Sequence, residues 1–185
     1  MASGNVGGGV SFFDGGKTFS GTGTFGSQLF GGVGFSFTDF DDTDLSFKNI
    51  SGSLGYEVTS SETEVSFCPS FGAGYGFGLE IVGVDLTTVS VVPAVSVSIV
   101  TEVSPTVSIV PFGQLALVYQ RITADGGTSG EITESDTTGA LVLGAGFMFN
   151  QRFSIGPAVT IPISSEDGDT TFGIGFAVAV GEGGS

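Results

Sequence analysis

From Gly139 to Val180 the chain alternates, residue by residue, between large apolar and small side chains, and no charge interrupts the centre of any of the three runs. In the first run Leu141, Leu143, Ala145, Phe147 and Phe149 oppose Ala140, Val142, Gly144, Gly146 and Met148. After the polar break Asn150–Gln151–Arg152 come Phe153, Ile155, Val159, Ile161 and Ile163, against Ser154, Gly156, Ala158 and Thr160. Beyond an acidic link from Ser164 to Asp169, Phe172, Ile174, Phe176, Val178 and Val180 alternate with Gly173, Gly175, Ala177 and Ala179. A period of two means β-strands. A water-soluble barrel would carry Lys and Glu along its outward face, whereas a charge at mid-bilayer costs about 2–4 kcal/mol. Strand centres bare of charge on both faces therefore point to lipid.

The same pattern recurs upstream. Strands are expected over 5–13, 17–29, 29–37, 45–59, 65–77, 86–100 and 107–121, with Gly72, Gly74, Gly76 and Gly78 on one strand face. They are separated by Asp14–Gly15–Gly16, the run from Asp39 to Asp44, Ser60–Glu64, Glu80–Asp85, Thr101–Pro105 and a long polar loop from Ala124 to Asp136. The acids fall almost wholly in these breaks. A chain of 185 residues is one domain by size, residues 1–185, and large enough to enclose a lumen. The fold class expected is all-β: a closed, antiparallel, up-and-down transmembrane β-barrel. It has ten strands if residues 1–28 belong to the wall and eight if they form an extra N-terminal hairpin. No run of roughly 18 apolar residues occurs, so no spanning helix is expected.

Composition closes off several functions. With 4 Lys+Arg against 19 Asp+Glu the net charge is −15, which repels nucleic acid and favours cations as partners. There is no histidine and one cysteine, Cys68, so neither a Ser–His nor a Cys–His pair can form, and no disulfide or cysteine metal cluster either. No cofactor and no enzymatic activity are expected. Gly15–Gly16–Lys17–Thr18 has the tail of a phosphate-binding loop, but Ser11 stands where its first Gly belongs and no helix follows. Asp39, Asp41, Asp42 and Asp44 offer hard oxygen ligands suited to Ca²⁺, yet they lack the Gly and distal Glu of a calcium loop, and a solvated loop is expected. The first residues hold no basic-then-apolar secretory signal, which is expected of a mature sequence given a new start Met.

Alternating oily and Gly/Ser/Thr segments, acidic loops between short turns, and stretches such as Phe67–Cys68–Pro69 and Phe147–Met148–Phe149–Asn150–Gln151–Arg152–Phe153–Ser154 resemble the small outer-membrane β-barrel proteins of Gram-negative bacteria, of the OmpA/OmpX-like type. The chain departs from that type in having no Trp, three Tyr and no terminal Phe. The resemblance implies an outer-membrane location, a lipid-bilayer environment and a monomeric barrel with a structural or passive, porin-like role. Known enzymes of that kind use a catalytic histidine, which is absent here.

By parity, Leu141, Leu143, Phe147, Ile155, Ile161, Phe172 and Phe176 are expected to face lipid. Ser66, Cys68, Ser70, Gly72, Ser96, Gly144, Gly146, Gly173 and Gly175 are expected to line the lumen. Leu143→Arg should then block insertion while Gly144→Ser should not. Two alternatives fit the same period: a soluble barrel with its oily face turned in on a hydrophobic ligand, and a secreted β-filament built through strand edges.

Overall fold

Alternation makes strands, and the turns between them make a ring. The computed structural model describes residues 4–41, 45–59, 65–81, 84–126, 130–163 and 169–181. In them run β1 (Gly4–Phe13), β2 (Gly16–Gly26), β3 (Leu29–Phe40), β4 (Ser46–Tyr56), β5 (Val58–Thr59), β6 (Val65–Ile81), β7 (Val84–Ile99), β8 (Thr101–Ser104), β9 (Val107–Asp125), β10 (Glu131–Phe149), β11 (Phe153–Pro162) and β12 (Thr171–Val180). Each strand pairs antiparallel with the next. β5 and β8 are short continuations of β4 and β7 along the edges of β6 and β9. The ring closes where β12 pairs with β1, from Gly4↔Val180 to Phe12↔Phe172, leaving a ten-stranded wall.

Closure places residues 4–26 inside the wall, which decides between eight strands and ten. It also leaves the wall without a free lateral edge, so filament growth by edge pairing has no template here.

Turn chemistry explains the tight connections. Asn150 and Gln151 both have positive φ, 51° and 54°, as the mirror-image hairpin turn requires, and the Arg152 N–H donates to the Phe149 carbonyl at 3.0 Å. Gly15, at φ 86°, does the same work after Asp14. Neighbouring turns are laced together at the rims: Asp41 N–H to the Gly15 carbonyl at 2.9 Å, and Asn150 N–H to the Thr106 carbonyl at 2.8 Å.

β1, β11 and β12 have 10 residues each. At about 3.4 Å per residue and a tilt of about 40°, such a strand rises about 25 Å, the height of an outer-membrane apolar band. β6, β7, β9 and β10 are longer, at 17, 16, 19 and 19 residues, and stand above the rim at one end.

Here several expected loops prove to be strand. The region from Ala124 to Asp136 is mostly hairpin, with Ile132↔Ala124 and Thr133↔Thr123 in register and the Gly126 N–H donating to the Gly130 carbonyl at 3.4 Å. The β-branched Ile122, Thr123, Ile132 and Thr133 keep it extended, and at the rim water solvates its acids. Likewise Glu80 pairs with Asp85 within β6 and β7, β3 continues through Asp39 to Phe40, and Thr101–Ser104 is strand rather than a break. Gly78 leaves the glycine row at a bulge between Gly76 and Leu79, with φ 84°.

The distribution of apolar bulk is inverted relative to a water-soluble protein. Among the described residues the one buried hydrophobic side chain is Ala94, while Phe25 is 59% and Leu29 67% exposed, as part of a belt running round the whole ring. A ring whose oily side chains point outward rules out the soluble barrel with an oily interior. With so little apolar surface removed from water by folding alone, the belt has to be covered by lipid.

Candidate functional site

The inward side of the ring is built from the small half of each alternation. Ser66 is buried, and Cys68, Ser70, Gly72, Ser96, Gly144, Gly146, Gly173 and Gly175 are all partly covered on that side. On the opposite side Leu143, Phe147, Ile155, Ile161, Phe172 and Phe176 are exposed. Leu141 shares their side through its pairing with Leu115 and Ile161.

Inward aromatic side chains do occur, and parity alone does not show how they are accommodated. Phe30 lies across Gly55, Phe47 across Gly76 and Phe112 across Gly144, each ring filling the space a Cβ would need. The rings therefore lie against the wall on glycine backbone, the aromatic covering of strand glycines that restores lost packing. Near one rim Phe13 and Phe40 meet edge to face, their centroids 6.2 Å apart. Between these rings the inner face is largely hydroxyl and glycine, with Val92 beside Gly72 and Val110 beside Gly146. Thr18 and Thr38 hydroxyls lie 2.9 Å apart across β2 and β3, and a cavity of about 250 Å³ is lined by Gly9, Ser11, Ser20, Thr22, Ala158 and Thr160 among others.

The two mouths differ in charge. Strand direction puts Gly4, Val180 and the turn at Asn150 at one end, here the termini end, and the turn at Asp14 and the paired strand ends Asp125 and Glu131 at the other, the loop end. Among the described acids, Asp14, Asp39, Asp41, Glu80, Asp85, Asp125, Glu131, Glu134, Asp136 and Asp169 lie toward the loop end, against Glu57 and Glu102 at the termini end. Lys17, Lys48 and Arg121 offset little of this. Lys17 is held by Asp39 at 3.2 Å, both about two-fifths exposed, so that pair is worth little to stability.

The aspartates read from sequence as a calcium-type group are not brought together among the described residues. Asp39 lies in β3 and pairs with Lys17, the Asp41 N–H bonds the Gly15 carbonyl, and Asp42 and Asp44 fall outside the described residues. So do Glu62, Glu64, Glu166 and Asp167. Among the described residues no group of three or more Cys, Asp or Glu could hold a metal ion. Gly15–Gly16–Lys17–Thr18 is a hairpin turn entering β2.

Sequence reasoning missed a polar cavity of about 580 Å³ at the termini end, lined by Asn5, Thr24, Gln28, Glu57, Thr59, Cys68 and Ser98 among others. Its residues come from strands far apart in the chain. The one available signal was a charged residue, Glu57, interrupting an otherwise neutral alternation.

No protein-family pattern and no curated protein matches the chain. Among solved structures it is similar to the N-terminal β-barrel domain of Pseudomonas aeruginosa OprF, with 15% identity, a TM-score of 0.44, and 96% of this chain and 97% of that one covered. It is similar also to Ail, the attachment invasion locus protein of Yersinia pestis, with 16% identity, a TM-score of 0.46, and 97% and 96% covered. Neisserial surface protein A matches at 9% identity and a TM-score of 0.45, with 97% and 94% covered. A closed ten-stranded antiparallel ring girdled by outward apolar side chains is a transmembrane β-barrel.

Proposed function

We propose that the protein sits in the bacterial outer membrane as a non-catalytic, monomeric barrel enclosing a narrow hydrated path that passes small cations in preference to anions. The observation that carries this reading is the inner face. It is mostly Gly, Ala, Ser and Thr, and the rings of Phe30, Phe47 and Phe112 pack against Gly55, Gly76 and Gly144. Eight strands give an interior that side chains just fill, and diameter grows with strand number, so ten strands with small inward residues leave room for water. The acids of the loop end then act at a distance. Their fields add at that mouth and concentrate counter-ions there.

Reversal potentials in planar bilayers under a salt gradient test this. Small, cation-preferring channels are expected, with the preference shrinking as salt rises, because exposed charges are screened over about 8–10 Å at physiological ionic strength. Anion selectivity would contradict the electrostatic argument. Absence of any channel would favour a purely structural wall.

A further inference from the structure

Glu57 stands where the chain passes from β4 to β5, and three contacts hold it. Its N–H donates to the Gln28 carbonyl at 2.7 Å, tying it to the neighbouring turn. Its carboxylate Oε1 accepts from Ser66 Oγ at 2.8 Å and from Thr59 Oγ1 at 3.1 Å, and those two hydroxyls lie 3.1 Å from each other. Ser66 is itself buried, at 7% exposure. Hydrogen bonds to an ionised acceptor are the stronger kind, and here two hydroxyl donors converge on one oxygen and fix the carboxylate in one place.

Glu57 lines the polar cavity at the termini end together with Asn5, Thr24, Gln28, Cys68 and Ser98, and no described Lys or Arg joins the lining. The acids of the loop end, by contrast, are mostly exposed on rim and hairpin, where salt screens them.

We infer that Glu57 is the selectivity-determining residue of the termini-end mouth, a fixed negative charge that admits small monovalent cations and holds back anions. This deepens the pore reading and rests on it, but it can be tested without passing current. Cys68 lines the same cavity and reports the local field. Its thiolate displaces sulfinate from a methanethiosulfonate, giving a mixed disulfide, and the rate depends on how readily the reagent reaches it.

The full-length barrel in liposomes is treated with trimethylammonium, sulfonate and neutral methanethiosulfonates at about 1 M salt, where screening falls to about 3 Å and distant acids contribute little. The cationic reagent should react with Cys68 roughly tenfold faster than the anionic one. In Glu57→Gln, which keeps an oxygen for Ser66, the ratio should fall close to one while the neutral reagent still reacts, showing that Cys68 stays accessible and the wall is intact. A ratio unchanged by Glu57→Gln would overturn the inference, and so would failure of all three reagents, since the cavity would then be closed to solutes. If channels conduct with cation preference unaltered in Glu57→Gln, the inference fails and the pore stands. If no current flows but the Glu57-dependent ratio is found, the pore reading fails and the charge of the mouth stands.

Discussion

Leu143 and Gly144 sit side by side on β10 and point to opposite sides of the wall. Leu143 is exposed in the middle of the apolar belt, so Leu143→Arg would place a charge against lipid at a cost of about 2–4 kcal/mol. Insertion into liposomes, read as the heat-modifiable gel shift of a folded barrel, should be largely lost. Parity suggests that Gly144 tolerates Ser, but its cross-strand partner is Phe112, whose ring occupies the space, and a Cβ would stand 2.8 Å from the Pro157 carbonyl oxygen. Gly144→Ser should therefore reduce insertion, whereas Gly146→Ser, whose Cβ would meet nothing closer than 3.9 Å, should leave it unchanged. Equal losses in Leu143→Arg and Gly146→Ser would contradict the assignment of faces. The alternation of large and small side chains was legible in the sequence because the period is local. What it touches across the strand was not, because that depends on register.

At the scale of elements the long hairpins carry the surprise. Glu80 pairs with Asp85, Asp85 with Asp125 and Asp125 with Glu131, so four carboxylates lie in one row across β6, β7, β9 and β10. Directly opposed like charges destabilise a sheet by roughly 0.2–1 kcal/mol per pair. Asp85 takes part in two of those pairings. Asp85→Asn should therefore slow amide hydrogen exchange through residues 120–125 and 131–135, more at low salt than at high, since the row is solvent-facing. Faster exchange in the variant would mean that the row stabilises the hairpin instead. The strand centres of this region were legible from Val89, Leu115 and Leu117. Its length was not, because acids read as loop signals while water at the rim allows them on strands.

At the scale of the molecule, the uncharged alternation legible in Gly139–Val180 becomes a wall, and the pairing of β1 with β12 closes it. A closed barrel was legible in the chain, but the pairing that closes it, and the polar cavity around Glu57, were not, because both join residues from its opposite parts. One side of this wall meets lipid and the other water. Spin labels placed singly at positions 141 to 148, in a Cys68→Ser background and in liposomes, measure this through relaxation by oxygen, which concentrates in lipid, and by a polar nickel complex, which stays in water. The account predicts oxygen access at 141, 143, 145 and 147 and nickel access at 142, 146 and 148. The opposite phase, or no alternation at all, would contradict it.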